Sequence, residues 1–227
     1  MKALKRSIIT MKWPYRKVYL NVTVRGRLGR SHWMIDAQYY ASDVTSLCGI
    51  DEAGRGPIAG PLVVAGVILP KAHDIAGLFD SKQLTETTRE RLFPLIQDEA
   101  IAYEIKIVDI ATIDALNIYR ATQEAMTEIA LTLNADYTLT DAMPLLVPIP
   151  HQAIVKGDTL SECIAAASIL AKVTRDRYMV AAEKAYPGYG FAQHKGYPTA
   201  QHLAKLRELG VSPIHRKSYQ PVKDMLK

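Results

Sequence analysis

The body of the chain alternates between short, mostly apolar runs and longer stretches that have helical spacing. The segments 46–52 and 62–69 are mostly apolar, which predicts two buried strands joined by a turn. Residues 101–108 alternate between apolar and polar positions, which predicts a half-exposed strand near the edge of a sheet. Residues 137–140 and 153–155 predict two further short strands, giving five strand segments in chain order.

Longer segments between and after these strands predict helices. They are residues 87–99, 113–133, 160–184 and 199–209. In the first of them, Thr87 and Glu90 have the spacing of a capping box, and Pro94 lies in the interior. The second is a long amphipathic helix by its apolar spacing. Strands that alternate with helices in this way predict an α/β fold.

The composition fits one globular domain, or one domain with a small appendage. At 227 residues the chain is long enough to bury a sizeable core. No apolar run approaches the ~20 residues that span a bilayer. The two cysteines, Cys48 and Cys163, lie in apolar contexts without CxxC spacing. We therefore expect a soluble, cytoplasmic protein of a reducing compartment, with no structural zinc and no membrane contact.

The positive charge is concentrated at the start of the chain. The net charge is +5, yet residues 1–33 hold nine Lys or Arg and no acidic residue, so the other 194 residues have 19 basic and 23 acidic groups, a net of −4. This leader is a basic arm for phosphate contacts, an organelle-targeting segment, or an extension without a role before a domain that starts near Met34. The charge of the body does not by itself indicate nucleic-acid binding.

Acidic residues stand at the ends of predicted strands. Asp51 and Glu52 end the first strand, Asp141 follows the fourth and Asp158 follows the fifth. Strand ends of an open α/β sheet converge on one site, where four carboxylates would repel one another unless divalent cations neutralise them. Oxygen ligands favour Mg²⁺ or Mn²⁺ over zinc. Each Asp alone is equally a turn or capping residue, so only the set indicates a metal site.

Two further features are candidates for substrate contacts. Directly after Glu52, Gly54 and Gly56 flank an arginine, either as plain turn residues or as bare backbone that a substrate can approach closely. The helix 160–184 carries hydroxyls and cations on one stripe, namely Ser161, Ser168, Lys172 and Arg175. Such a stripe suits phosphate contacts, or is an ordinary solvated face.

Several motifs then occur together between residues 45 and 220. They are Gly49-Ile-Asp51-Glu52-Ala-Gly54-Arg55-Gly56-Pro57, Asp80-Ser-Lys82-Gln-Leu84-Thr, Asp141, Lys156-Gly157-Asp158, Ile164-Ala-Ala-Ala-Ser168-Ile-Leu-Ala-Lys172-Val-Thr-Arg-Asp176, His194-Lys-Gly196-Tyr197-Pro-Thr and Ile214-His215-Arg216. With these motifs the chain resembles type 2 ribonuclease H, and specifically bacterial ribonuclease HII. Arg55 between the glycines separates this type from the related HIII enzymes, which carry a different residue there.

The resemblance implies a ribonuclease H-like mixed central sheet flanked by helices, with a helical C-terminal part. Residues 1–44 would be a basic N-terminal extension, 45–190 the catalytic domain and 191–227 the C-terminal helical part of the same domain. The implied activity is hydrolysis of RNA in RNA–DNA hybrids and 5′ to single ribonucleotides in duplex DNA. It would use two Mg²⁺ or Mn²⁺ ions and leave 3′-hydroxyl and 5′-phosphate ends. We expect a monomer, and contacts with a sliding clamp or polymerase stay open.

The resemblance also assigns roles to single positions. The catalytic, metal-binding carboxylates would be Asp51, Glu52, Asp141 and Asp158. The substrate-binding residues would be Gly54, Arg55, Gly56, Lys156, Ser168, Lys172 and Tyr197. The Gly-Arg-Gly backbone would contact the ribose 2′-hydroxyl, and Tyr197 would stack on the sugar at the RNA–DNA junction. His194, His202 and His215 are available as acid–base groups without an assigned role. After Asp141 the chain has Ala142-Met143, where the family usually has Gly-Asn.

Two other classes of protein compete with this interpretation. One is a different metal nuclease of the same fold, such as a type 1 enzyme or a junction resolvase, which would not need the Gly-Arg-Gly element. The other is a non-catalytic nucleic-acid-binding protein. The four carboxylates argue against it, because they repel a phosphate backbone when no metal is bound.

Overall fold

The computed structural model describes residues 6–8, 19–21, 34–42, 44–78 and 81–227. Its strands are β1 (Arg6–Ile8), β2 (Tyr19–Asn21), β3 (Leu47–Ala53), β4 (Leu62–Ile68), β5 (Ala102–Val108), β6 (Tyr137–Asp141) and β7 (His151–Ile154). Its α-helices are α1 (Met34–Tyr40), α2 (Glu86–Glu99), α3 (Ile110–Leu116), α4 (Ile118–Leu133), α5 (Glu162–Ala185), α6 (Phe191–His194) and α7 (Ala200–Leu209). Short 3₁₀ helices span Gly157–Thr159 and Lys223–Leu226.

The main sheet is mixed and has the strand order β5-β4-β3-β6-β7. The first three strands in this order pair antiparallel, and β3, β6 and β7 run parallel. The half-exposed segment 101–108 is therefore an edge strand, as predicted. Since parallel strands end at the same edge of a sheet, the C-terminal ends of β3, β6 and β7 lie side by side.

Helices cover both faces of this sheet. In β4, Val63 and Ala65 face a core formed with α2 and α5, whereas Leu62 and Val64 face a second core formed with α4. Both sets of side chains are fully buried, which is why the sequence of β4 is almost continuously apolar. The mixed sheet flanked by helices confirms the predicted fold class, and the segment after residue 190 is helical, as predicted.

Helix α5 lies unusually close to β3. A Cβ on Gly49 would lie 2.1 Å from the carbonyl carbon of Cys163, and a Cβ on Gly54 would lie 2.2 Å from Nε of Arg175. The helix and the strand therefore run in the same direction, about 18 Å of helix beside about 17 Å of strand.

Two helices differ from the predictions. The cap of α2 is Thr85, whose side chain accepts from the backbone N–H of Thr88 at 3.2 Å, so the capping box at Thr87 is wrong. The segment 113–133 is two helices, because Asn117 takes a left-handed φ of 68° and ends α3. Its side chain then caps α4 by accepting from the N–H of Arg120 at 3.1 Å.

Part of the predicted extension 1–44 contacts the body. Asp36 in α1 is buried and accepts from the N–H of Cys163 at 3.2 Å, while Ile35 and Tyr39 pack against Leu47. Strands β1 and β2 form a separate antiparallel pair. Most of the basic residues of the leader lie outside the described residues, as does Asp80, and the boundary at residue 44 stays a prediction. Within the described ranges, no helix is long and apolar enough to cross a bilayer.

Candidate active site

Three of the predicted carboxylates come together at the edge where the parallel strands end. Ile50 pairs with Thr140, so Asp51 and Asp141 follow side by side at the ends of β3 and β6. Asp158 lies in the 3₁₀ turn after β7. One oxygen from each of these three carboxylates lies within 4.8 Å of the others. A cation of ordinary size could contact all three at once.

Glu52 lies beside this cluster rather than in it, because neighbouring residues of a strand point to opposite faces. Nη1 of Arg55 lies 3.5 Å from its Oε1. Its other oxygen, Oε2, is buried and has no hydrogen-bond partner among the described residues. A buried carboxylate oxygen without a donor is costly, and a bound cation would satisfy it.

The electrostatics of the cluster favour a cation as well. Burial, followed by the charges of Glu52, Asp141 and Asp158, raises the pKa of Asp51 well above its usual value. Burial likewise raises the pKa of Glu52 to about 6, although Arg55 opposes the shift. Lys82 offers one partner, with Nζ 3.3 Å from Oδ2 of Asp158, but its side chain is largely exposed. The oxygen-only donor set fits a hard divalent ion.

Asp141 is held by the segment that carries Asp158. The backbone N–H of Gly157 donates to Oδ1 of Asp141 at 2.8 Å. Ala142, which directly follows Asp141, takes a left-handed φ of 53°, and its N–H donates to the carbonyl of Ile154 at 3.0 Å. The departure from Gly at this position therefore places an alanine where glycine would be under less strain.

Two buried arginines hold the turn between β3 and β4 by donating to its main-chain carbonyls from the protein interior. Arg175 donates to the carbonyls of Ala59 and Pro61 at 3.2 and 3.1 Å. Arg216 donates to the carbonyls of Gly54, Arg55 and Gly60 at 2.6, 3.2 and 2.9 Å. Burial lowers the pKa of Arg175 to about 10, and the nearby charge of Arg216 adds to this shift. Main-chain carbonyl dipoles therefore balance two cations under one turn.

The hydrogen bonds from Arg216 determine the direction in which the N–H groups of the turn point. The carbonyls of Gly54 and Arg55 point inward to Arg216, and a trans peptide directs its N–H opposite to its C=O. The N–H groups of Arg55 and Gly56 therefore point outward, at two residues that are both exposed. Two consecutive outward N–H groups can donate to a phosphate or hydroxyl oxygen.

Tyr197 lies on the same surface as this turn. The residue is 44% exposed, and a Cβ on Gly56 would lie 3.5 Å from its ring. The guanidinium of Arg175 is 6.0 Å from the ring centroid. Lys156, exposed and with a left-handed φ of 58°, precedes the Gly157 that holds Asp141. The structure thus places Gly56 and Tyr197 next to each other.

The polar stripe on α5 is different from the predicted exposed face. Ser161, Ser168 and Arg175 are buried, so they do not form a solvated phosphate-binding surface. Ser161 caps α5 by accepting from the N–H of Ile164, and Ser168 donates to the carbonyl of Ala165 at 2.9 Å. The helical spacing was correct, but this side of α5 packs on β3. Roles for Ser168 in substrate binding stay a prediction.

Lys172 is partly buried and has an internal partner. Its Nζ donates to Oδ1 of Asp176 at 2.7 Å, and its side chain is 22% exposed. Burial lowers the pKa of the Lys172 ammonium, while Asp176 opposes the shift. A phosphate would have to compete with Asp176 for this cation, so its predicted substrate contact stays a prediction.

Arg216 was not assigned any role from the sequence, although it lies in one of the matched motifs. The one sequence feature that could have pointed to Arg216 is its place beside His215, in a matched motif far along the chain from the acidic motif. Charge alone predicts an exposed arginine, and only the packed structure shows that its partners are carbonyls more than 150 residues earlier.

The sheet, the helices on both faces and the strand-end carboxylates define a nuclease of the ribonuclease H fold. Comparison with known proteins agrees with this class. A sequence model of the family described as Ribonuclease HII matches residues 48–222. The chain belongs to this family, and it is a ribonuclease H, a hydrolase.

Individual relatives support the assignment. The chain is 50% identical to a ribonuclease HII of Geobacillus kaustophilus over 194 residues, which is 85% of this chain and 75% of the relative. It is 51% identical to that of Enterococcus faecalis over 182 residues, covering 79% and 71% of the two chains. Among solved structures, ribonuclease H2 from Pyrococcus horikoshii superposes with a TM-score of 0.65 at 28% identity, covering 79% of this chain and 96% of that one.

Proposed function

We propose that this protein is an endonuclease that hydrolyses RNA within RNA–DNA hybrids and cleaves 5′ to single ribonucleotides in duplex DNA. The observation that carries the proposal is the position of the Asp51–Asp141–Asp158 cluster a few residues from a turn with outward N–H groups. The cluster would act on the phosphodiester, and the turn would recognise the sugar beside it. Such an activity suits the removal of ribonucleotides and RNA primers from DNA.

Asp51, Glu52, Asp141 and Asp158 would hold two divalent ions, Mg²⁺ or Mn²⁺. When bound, such ions supply an activated water and neutralise charge at the scissile phosphate. The Oε2 of Glu52, which has no hydrogen-bond partner in the described part of the chain, and the raised pKa of Asp51 fit a set of ligands that a cation would stabilise. A related fold, ribonuclease HIII, was solved in complex with Mn²⁺, at 18% identity. The products would be 3′-hydroxyl and 5′-phosphate ends.

The turn would supply the selectivity for RNA. Phosphate contacts position a nucleic acid but do not distinguish RNA from DNA, whereas the 2′-hydroxyl does. The outward N–H groups of Arg55 and Gly56 would donate to this hydroxyl, and the exposed ring of Tyr197 would stack on the neighbouring sugar. Lys156 and Arg55 would contact phosphates. With a deoxyribose in place, these N–H donors would lose their partner.

The described groups of this site all come from one chain, so we infer that a monomer is sufficient. A structure of a PCNA:RNase HII complex is known for Archaeoglobus fulgidus, at 28% identity. A purely binding function is disfavoured because clustered buried carboxylates weaken phosphate binding unless metal is present.

The test compares three duplexes of one sequence: an RNA–DNA hybrid, a DNA duplex with one ribonucleotide, and an all-DNA duplex. Each is incubated with Mg²⁺, Mn²⁺ or a chelator. We expect cleavage of the first two with either metal, none with chelator, and cleavage of the single-ribonucleotide duplex on the 5′ side. Equal cleavage of the all-DNA duplex would overturn the proposed selectivity. Full activity in chelator would overturn the metal mechanism.

A further inference from the structure

Three histidines form a buried cluster beneath Tyr197. His202 and His215 are fully buried, and His194 nearly so. The rings of His194 and His202 stack at a centroid distance of 4.2 Å, and Nε2 of His202 lies 3.1 Å from Nε2 of His215. Phe191 contacts all three rings. Buried in this way, His202 cannot reach a substrate, which excludes it as a direct acid–base group.

The hydrogen bonds fix the proton on every ring. His202 must carry its proton on Nδ1, because Nδ1 faces the carbonyl of Tyr197 at 2.8 Å. Its Nε2 is then an acceptor, so His215 donates from Nε2. Nδ1 of His215 in turn accepts from the N–H of Ser212 at 3.0 Å and from its hydroxyl at 2.7 Å.

His194 completes the same pattern. Its Nε2 faces the carbonyl of Tyr189 at 2.9 Å and must donate, so Nδ1 accepts from the N–H of Gly196 at 3.2 Å. Every ring nitrogen has a partner of the correct kind only when all three rings are neutral. Burial agrees with this, since it lowers the pKa of His202 and of His215 to about 4.

The cluster is connected to both parts of the recognition surface. Through Nδ1, His202 holds the carbonyl of Tyr197, and through Nδ1, His194 holds the preceding Gly196. The carbonyl of Gly196 accepts from the N–H of Ile58, and His215 forms a β-bridge with Ala59. The tyrosine and the turn therefore share one hydrogen-bonded support.

We propose that His202 is a positioning residue that acts through the Tyr197 carbonyl and keeps the Tyr197 ring beside Gly56. This inference rests on the proposed function, in which Tyr197 recognises the sugar at an RNA–DNA junction. The carbonyl of Tyr197 also accepts from the N–H of Thr199 at 2.8 Å, so the contact to be tested is the second donor, Nδ1–H of His202. The volume of the ring alone does not supply this donor. His202 then determines how well the enzyme acts on a single ribonucleotide relative to a continuous hybrid, where many registers are available.

Two amide substitutions separate the donor from the volume. In His202→Asn, the side-chain amide replaces Nδ1 and keeps a donor for the Tyr197 carbonyl. In His202→Gln, the amide lies near the former Nε2, so the variant fills more of the space but loses that donor. The readout is the ratio of kcat/KM on the single-ribonucleotide duplex to kcat/KM on the hybrid. This ratio does not depend on the fraction of active protein, so any soluble fraction is sufficient.

We expect His202→Asn to keep the ratio within about threefold of wild type and His202→Gln to lower it about tenfold, the effect of one hydrogen bond. Thermal stability should follow the opposite order, with Gln at least as stable as Asn. In a Tyr197→Ala background the two variants should give equal ratios, because the group that His202 positions is gone. His202→Leu replaces the Gln variant if that protein is insoluble.

The opposite result has a clear form. If the ratio falls equally in both variants, or follows their stability, His202 is only a packing residue and the inference is overturned. The failure of the proposed function looks different, because wild-type protein would then cleave neither substrate, and the inference would fall with it.

Discussion

The two glycines that flank Arg55 should fail in different ways when each is changed to alanine. Gly54 has a φ of +105°, and a Cβ there would lie 2.2 Å from Nε and 2.5 Å from Cδ of Arg175, and 2.8 Å from the carbonyl oxygen of Pro61. Gly56 lies outside the left-handed region, and its added Cβ would contact only the ring of Tyr197, at an ordinary 3.5 Å. Gly54 is therefore required by the fold, whereas the fold would accept a side chain at Gly56.

The cost of Gly54→Ala has three parts. A left-handed alanine costs about 1–2 kcal/mol. Overpacking against Arg175 costs about 1–3 kcal/mol. Displacing that guanidinium weakens a charged hydrogen bond to Pro61, about 1.5–3 kcal/mol. The sum is roughly 4–8 kcal/mol, against about 5–15 kcal/mol for the whole stability of a typical protein.

Calorimetry of both variants measures the difference. At about 2–4 °C per kcal/mol for a chain of this size, Gly54→Ala should lower Tm by at least about 8 °C. Gly56→Ala should stay within about 2 °C of wild type, yet lose kcat/KM on the single-ribonucleotide duplex, because its methyl group lies between the outward N–H groups and Tyr197. Equal Tm losses in the two variants, or an unchanged Tm for Gly54→Ala, would refute this account of the turn.

Three further predictions concern other parts of the molecule. Asp51→Asn should abolish cleavage while Tm stays equal or rises, because one charge leaves a repulsive cluster; near-normal turnover in saturating Mg²⁺ would contradict the metal role. Ala142→Gly should raise the free energy of unfolding by about 0.5–1 kcal/mol, since φ is 53° there; urea unfolding that shows a loss would contradict the strain. Because the folded pKa values of His202 and His215 are about 4, below the usual 6.5, the unfolded chain binds protons more readily at these rings, and their contribution to stability should fall as pH drops from 6.5 to 4. The raised pKa values of Asp51 and Glu52 act in the opposite direction, so the measurement is the difference in urea midpoint between wild type and His202→Gln. A difference that stays constant between pH 7 and 5 would contradict the neutral cluster.

Sequence patterns predicted the parts of this fold that depend on local periodicity. The apolar run of β4 and the alternation of β5 follow from which faces are buried, so both strands were found close to their observed bounds. The break at Asn117 was missed because the apolar spacing continues across it. Only the backbone changes there, since Asn117 alone takes a positive φ between the two helices. The cap of α2 was misplaced because Thr85, Thr87 and Thr88 are all able to cap a helix.

In the candidate site, too, the features that depend on local sequence were predictable, and those that depend on packing between distant segments were not. Strand ends are local features, so the convergence of Asp51, Asp141 and Asp158 was predictable from three short strands. The burial of Ser168 and Arg175 was not, because it depends on how closely α5 approaches β3, which Gly49 in the strand and Gly54 just after it permit. A charged residue on a helix looks the same in sequence whether it faces water or a set of carbonyls.

The support of the turn by Arg216 has a consequence for the enzyme during its synthesis. The last of the clustered carboxylates is residue 158, but the arginine that turns the Gly54 and Arg55 carbonyls inward is residue 216. At ~5–20 residues per second, a ribosome needs roughly 3–12 s to add the intervening stretch. During that interval the nascent chain contains all three residues of the acidic cluster but lacks the arginine that directs its backbone donors outward. The proposed selectivity for ribose would therefore be acquired only after all the residues of the acidic cluster have been synthesised.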